Sequence, residues 1–322
     1  VAWDSVYGAY LKANYPLQYY KVVLDNFEND TEETAKIINE LKYFNIKLKP
    51  IKFRYSRAEY SFDKIQNAIY KNLSSVKYMN RKVAEELYEL GKNQYNNFAE
   101  LLKDINEKTS VNSKQLDILI KLDFFSEFGK SRKLLNFVKY FNLINNAKVI
   151  NKQKIEEKWL YSIIKNNSQE TKSQFKDLDN NKILELIWNG LPNKDLSLLE
   201  KIQTEKEYLG YINYINPNLD KKYVLITNLN TRYTPILDVY CLNNGKTETV
   251  KISKKNFSYE HIKEGTVLYI NSMKRKHGWK KVGEYKNGKP KFEPDHTKQE
   301  WWITNYSIVH NVESIIEEVA ND

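Results

Sequence analysis

Residues 223–229 read YVLITNL, residues 236–242 ILDVYCL and residues 247–252 TETVKI. These stretches are rich in β-branched and aromatic residues and read as alternating rather than helical, the period of two that sends neighbouring residues to opposite faces of a strand. Asn244-Gly245, between the second and third stretches, is a sequence signal for a two-residue hairpin, and Asn287-Gly288 marks another. Residues 267–271 and 301–309 add two further strand-like stretches, which makes five or six short strands in succession. That pattern predicts an OB-type β-barrel over residues 210–312, with a small sandwich as the other arrangement of the same strands.

Upstream of residue 209 the apolar period is helical. Asp30 followed by Glu33 has the form of a capping box, and Ile37, Ile38, Leu41 and Phe44 share one face of a helix over 31–44. Around Pro50, residues 46–53 alternate apolar side chains with lysines and read as an extended crossing between two units. Further helices are predicted at 80–91, 112–122, 131–144, 152–165, 180–189 and 194–209. Over 144–181 apolar residues thin out and Asn, Lys and Gln accumulate, the composition of a mobile or loosely packed connector. The expected fold class is therefore α+β and multidomain, with a mostly helical N-terminal two thirds followed by the small barrel. The divisions expected are a helical region over 1–50, a helical domain over 51–143, a helical connector over 144–209, the barrel over 210–312 and a tail over 313–322.

The chain has 322 residues, 41% hydrophobic and 13% aromatic, with 24 Tyr against 10 Gly and 7 Pro, a composition that excludes disordered and collagenous classes. No apolar run approaches the length of a membrane span, and the mean hydropathy is −0.68. The one cysteine, Cys241, forms no internal disulfide or thiolate cage, which fits a reducing cytoplasmic setting. A formal net charge of +10 favours a polyanionic partner only where the charge is clustered. It is densest at Lys274, Arg275, Lys276, Lys280, Lys281, Lys286, Lys289 and Lys291, interleaved with His277, Trp279, Tyr285 and Phe292.

Metal and nucleophile chemistry have no starting point. His261, His277, His296 and His310 lie 16, 19 and 14 residues apart, so no pair shares a helix face at the spacing metal ligands use. There is no G-x-S-x-G, Walker or Gly-rich phosphate loop. Glu32 with Glu33, and Glu85, Glu86 and Glu89, read as cap and solvated face rather than a metal dyad.

Two stretches point to nucleic acid. MKRKHGWKK, residues 273–281, sets phosphate-neutralising charge beside a flat ring, the combination that binds single strands by charge and stacking. Its other reading is a solvated lysine-rich hairpin with an inward tryptophan. VKYMNRK, residues 76–82, presents Lys77, Arg81 and Lys82 at a turn between two helical stretches, near a helix N-terminus where amides can meet a phosphate. DLSLL, residues 195–199, has the look of a docking motif carried by Leu196, Leu198 and Leu199, but also fits one face of an amphipathic helix.

Taken together, several segments resemble the C-family replicative DNA polymerase III alpha subunit of bacteria or phage, downstream of its palm. GAYLKANYPLQYY, residues 8–20, is similar to the segment ending the family's fingers, with Asn14 where the family has His. IKLKPI, residues 46–51, follows a helix of the family's form. LSSVKYMNRK, residues 73–82, stands where the family has a helix-hairpin-helix with two glycines, here replaced by Tyr78 and Asn80. Residues 97–125 match a further pattern with Asp123 in place of glycine, and EKEYLGY, residues 205–211, resembles the signature preceding the family's OB domain. The resemblance implies a DNA-binding tail handling single-stranded template and primer-template, with Lys12 as an added contact and Leu196, Leu198 and Leu199 in a degenerate sliding-clamp motif. The catalytic aspartates and their Mg²⁺ belong to a palm outside the chain. The chain alone is thus expected to be inactive, to need no cofactor, and to be a fragment, a processed product or one piece of a split polymerase. The alternative is a free-standing, non-enzymatic single-strand-binding or adaptor protein with an OB fold.

Overall fold

A computed structural model describes residues 2–27, 30–210, 212, 215–285 and 290–310. The chain divides into two compact units, residues 1–196 with 207–209, and residues 197–206 with 210–322.

The first unit opens with three helices, α1 (Ala2–Asn14), α2 (Pro16–Asn26) and α3 (Thr31–Leu41). Pro16 at the first position of α2 supplies a φ already suited to helix and lacks only an N–H that would have no partner there. The Asp30 carboxylate accepts from the Glu33 amide at 3.0 Å, the cap its spacing predicts. Leu17, Tyr20 and Leu24 of α2 meet Ile37 and Leu41 of α3 in one buried cluster, closed below by a small sheet. That sheet has strand order β1-β3-β2, from β1 (Lys47–Lys49), β2 (Ser61–Asp63) and β3 (Ala68–Tyr70), with β1 parallel to β3. The extended crossing at 46–53 is thus its first strand.

A second, larger cluster is built by α4 (Arg81–Leu90), α5 (Phe98–Lys108), α6 (Ser113–Lys121) and α7 (Ser131–Ile144). Asn80, Asn97 and Asn112 each cap the helix that follows, accepting the third amide, and Gln115 completes a full capping box with Asn112. Residues 97–125 contain two of these helices, of which α5 is not among those the sequence pattern singled out. Phe53, Phe98, Phe124, Phe125 and Phe137 pack edge and tilt at the centre.

The connector expected at 144–181 is instead part of this core. It folds as β4 (Val149–Asn151), α8 (Lys158–Asn166), β5 (Gln169–Glu170) and β6 (Gln174–Lys176), and Ile150, Leu160, Ile164 and Phe175 are buried in the same cluster as α7 and α9 (Asn180–Gly190). The polar composition is real but lies on the outward face. Elements this short show too few turns of periodicity to be read as packed.

The last helix, α10 (Leu198–Tyr208), begins later than the expected 194, and its residues up to Lys206 belong to the barrel unit. There β7 (Tyr223–Asn230), β8 (Ile236–Cys241), β9 (Thr247–Ile252), β10 (Val267–Glu284) and β11 (Pro290–Val309) close into a barrel ordered β7-β8-β9-β11-β10. All pairs are antiparallel except β9 with β11. The period of two works on both faces. Val224, Ile226, Leu237, Val239, Val250 and Ile252 point into the barrel, while Leu225, Tyr240 and Val267 point out onto Ile202, Leu198 and Leu199 of α10. Asn244-Gly245 does lie in the β8–β9 connection, with Gly245 at φ +73, but the connection spans 242–246 rather than two residues. Asn287-Gly288, Lys286, Lys289 and the tail over 313–322 fall outside the described residues.

Candidate nucleic-acid interface

Strands β10 and β11 are far longer than the five and nine residues their hydrophobic patterns suggested, with 18 and 20 residues. Only their barrel ends have outer neighbours. β7 pairs with β10 at 267–269 and β9 pairs with β11 at 301–303, whereas β10 and β11 stay paired with each other out to Glu284 and Pro290. The remainder is a two-stranded ribbon with both faces open. Hydrophobic patterning missed its length because MKRKHGWKK has no apolar alternation, although Asn287-Gly288 is a hairpin signal there, and pairing with the opposite strand supplies the extended conformation instead.

Every basic candidate of the barrel among the described residues lies on this ribbon. Trp279 is 67% exposed, opposite Pro294, and Tyr285 and Phe292 are also exposed, which overturns the inward-tryptophan reading. Lys280 stands opposite Glu293, and Lys281 is opposite Phe292 and forms an ion pair with Glu284 at 2.6 Å. Nearer the barrel the cations rest on rings. The Arg275 guanidinium lies 4.4 Å from the centre of Trp301, its cross-strand partner, and the Lys276 ammonium 3.9 Å from that of Trp302, which faces Lys274. Lys251 reaches Trp302 from β9 and pairs with Glu300 at 2.7 Å. A bulge at Gly278 is covered by the Lys298 stem, and His277 meets His296 edge to face at 4.6 Å. The Asp295 carboxyl is held below the usual range by hydrogen bonds from the Thr297 hydroxyl and amide.

In the first unit, the turn before α4 follows strand β3 rather than a helix. Tyr78 occupies the left-handed region at φ +71, a conformation that favours glycine. Asn80 is extended, φ −133, and needs no glycine, because its side chain caps α4. Tyr78 is fixed on three sides: its carbonyl accepts from Gln115 Nε2 at 2.9 Å, Lys114 sits 3.5 Å above its ring, and Tyr208 meets it edge-on. The Lys77 amide donates to the Tyr208 carbonyl, and its ammonium lies 5.4 Å from the Tyr78 ring. Arg81 pairs with Glu59 at 3.1 Å and Lys82 with Glu86 at 3.7 Å, so acidic neighbours partly offset the charge.

This turn lies inside residues 45–135, which match the family model for the helix-hairpin-helix motif. The chain is also 28% identical over 267 residues to the DNA polymerase III subunit alpha of Campylobacter jejuni, covering 79% of this chain and 21% of that protein. The corresponding subunit of Aquifex aeolicus is 26% identical over 73% of this chain and 17% of its own length, and that of Staphylococcus aureus 26% over 83% and 23%. The chain is a relative of the DNA polymerase III alpha subunit. It spans about a fifth of the length of these curated relatives.

In this polymerase III relative the remaining sequence candidates are engaged internally. Lys12 of α1 pairs with Glu40 at 2.7 Å, and Tyr20 donates to the same carboxylate at 2.9 Å, which together keep the Glu40 carboxyl below its usual range. Lys12 therefore contributes little free charge. Leu196 is buried, and Leu198 and Leu199 pack against the barrel's outer cluster, where Leu199 touches Gly265. All three leucines of the docking motif are thus engaged within the fold, Leu196 ahead of α10 and Leu198 and Leu199 on it. The sequence reading also passed over Arg232 and Tyr233 in the β7–β8 loop, where Tyr233 is 70% exposed and Arg232 lies 5.4 Å from its ring. A basic and an aromatic residue side by side between two strands was the available signal. No group of three or more His, Cys, Asp or Glu among the described residues could hold a metal ion, and no described helix is long and apolar enough to cross a membrane.

Proposed function

We propose that the chain is a DNA-handling part of a polymerase III alpha subunit, in which a barrel of the OB type holds single-stranded template and the chemistry lies in a palm outside it. The barrel's cyclic order, with one parallel closure between its third and fifth strands, supports the OB reading. The observation that carries the function is the ribbon. An exposed Trp279 beside Lys280 and Lys281, with Arg275 and Lys276 on rings behind it, offers stacking and phosphate neutralisation along one element. The turn at Tyr78 supports a second, duplex contact through Lys77, Arg81 and Lys82 in the matched helix-hairpin-helix region.

The rest of the polymerase is the proposed protein partner. Trp3, Val6, Tyr7 and Tyr10 of α1 form an exposed apolar and aromatic face suited to it. Mg²⁺ would bind in the palm, and a cytoplasmic location follows from this reading alone.

The test is binding of single-stranded DNA by the full chain across a salt series. Affinity should fall steeply with salt, and Lys280→Ala with Lys281→Ala should reduce the magnitude of the log–log slope by about one, at ~0.7 per lost phosphate contact and less for the paired Lys281. A folded double variant with unchanged affinity and slope would leave the ribbon as a solvated face.

A further inference from the structure

The end of the barrel from which the ribbon departs holds a cavity of about 420 Å³. Its floor is Val224, Val239, Val250 and Ile270, side chains of the barrel core, with Cys241 beside them. The rim carries Lys221, Lys222 and Lys246 against a single acid, Glu248, and the root of the ribbon contributes Met273 and Trp301. Protein interiors are normally filled to crystal-like density, so an apolar space of this size at a barrel mouth is available to a ligand. The volume sits low in the roughly 300–1,000 Å³ range of small-molecule sites.

Three features select the ligand chemistry. The cavity is shallow, because Ile226, Leu237, Ile252 and Leu268 fill the barrel below it with almost no exposure, so it suits a flat ring and not an acyl chain. The rim is cationic, so the ring should bear an anion. Trp301 adds an aromatic wall, and the nearby Arg275 guanidinium holds its ring.

We propose that this cavity takes one nucleotide, its base lying on the apolar floor beside Trp301 and its phosphate meeting Lys222 or Lys246. The nucleotide is an unstacked unit of the strand held on the ribbon, and in that respect the inference rests on the single-strand reading above. A free mononucleotide offers the same chemistry, and the experiment separates the two sources.

The full chain, labelled with ¹³C at Val and Ile methyls, is titrated with thymidine 5′-monophosphate, with oligothymidylate, and with an abasic oligomer of the same length. The methyls of Val224, Val239, Val250 and Ile270 should shift with oligothymidylate and stay in place with the abasic strand. Lys222→Glu with Lys246→Glu, both on the surface, should weaken oligothymidylate about tenfold more than the abasic strand. Val250→Phe, which fills the cavity, should do the same while leaving the salt slope of the ribbon intact. If it does not fold, the methyl shifts and the rim variant decide. Shifts with the monophosphate but not the oligomer would overturn the strand assignment, and would place a free mononucleotide in the cavity. No shift with either, beside a salt slope that still responds to Lys280→Ala with Lys281→Ala, would overturn the cavity and leave the ribbon standing. Shifts with oligothymidylate and an unresponsive slope would support the cavity while rejecting the ribbon.

Discussion

The Lys114 ammonium lies 3.5 Å from the centre of the Tyr78 ring, above a residue whose backbone is left-handed at φ +71. A non-glycine residue in that region costs about 1–2 kcal/mol. The ring contacts with Lys114 and Tyr208 and the Gln115 bond to the Tyr78 carbonyl offset this cost and hold the turn. Glycine at this position is therefore one solution for the turn, and a clamped tyrosine is another.

Tyr78→Ala should destabilise the first unit, because it loses the ring contacts and retains the strained φ. Tyr78→Gly loses the same contacts and is relieved of the strain, so it should be more stable than the alanine variant by about 1 kcal/mol. Urea unfolding of the two variants measures the difference. Equal midpoints would show that the turn relaxes when the ring is removed.

Trp279 and Trp301 should separate binding from folding. Trp279 is exposed, so Trp279→Ala should leave the melting temperature within error while costing about 1–3 kcal/mol in single-strand affinity at an unchanged salt slope. Trp301 packs against the barrel core under Arg275, so Trp301→Ala should cost on the order of 2 kcal/mol of stability. Calorimetry beside a binding isotherm checks both, and a lowered melting temperature for the Trp279 variant would contradict its placement.

Gly265 has φ +86, and a Cβ there would stand 2.8 Å from Leu199 Cδ2. The leucine tip can move aside, but the backbone cannot, so Gly265→Ala should destabilise the barrel by about 1–2 kcal/mol. Adding Leu199→Ala should not restore it and should cost more, since Leu199 packs on the barrel's outer cluster. Recovery of stability in the double variant would mean that the clash dominates.

Glu170 on β5 accepts from Lys152 at 2.6 Å, from the Tyr161 hydroxyl at 2.7 Å and from Lys165 at 3.2 Å. The Lys152 bond, then Tyr161 and Lys165, lower its pKa from 4.5 to about 2. A carboxyl depressed on folding contributes stability at pH above its ordinary value, and that contribution is lost as pH falls from about 4.5 through about 2. A ¹³C titration of the Glu170 carboxyl should have its midpoint near 2, and Glu170→Gln should flatten the loss of stability over that window. A midpoint near 4.5 would show the three partners to be absent in solution.

Much of the barrel was legible because β-branched and aromatic runs bounded by turn signals such as Asn244-Gly245 mark YVLITNL and ILDVYCL as strands. Helix starts at Asn80 and Asn112 were legible for a similar local reason, since a cap acts within three residues. The candidate site was less so. The positions of Lys274, Arg275, Lys276, Lys280 and Lys281 on one element were readable as a charge cluster, but charge alone does not tell a solvated face from a ribbon held open on both sides.

By itself, then, the sequence determined the division into a mostly helical part and a strand-rich part, the strands β7 to β9, and the clustering of charge with rings near Trp279. Tertiary structure decided how far β10 and β11 extend, that Trp279 faces solvent, that 144–181 is packed, that Leu196, Leu198 and Leu199 are turned inward, and that Tyr78 keeps a glycine's conformation. The physical reason is range. Periodicity, capping and turn preference act between residues a few positions apart, whereas exposure, ion pairing and a tolerated positive φ depend on partners such as Trp301 for Arg275, Glu40 for Lys12 and Lys114 for Tyr78, which only the folded chain brings into reach.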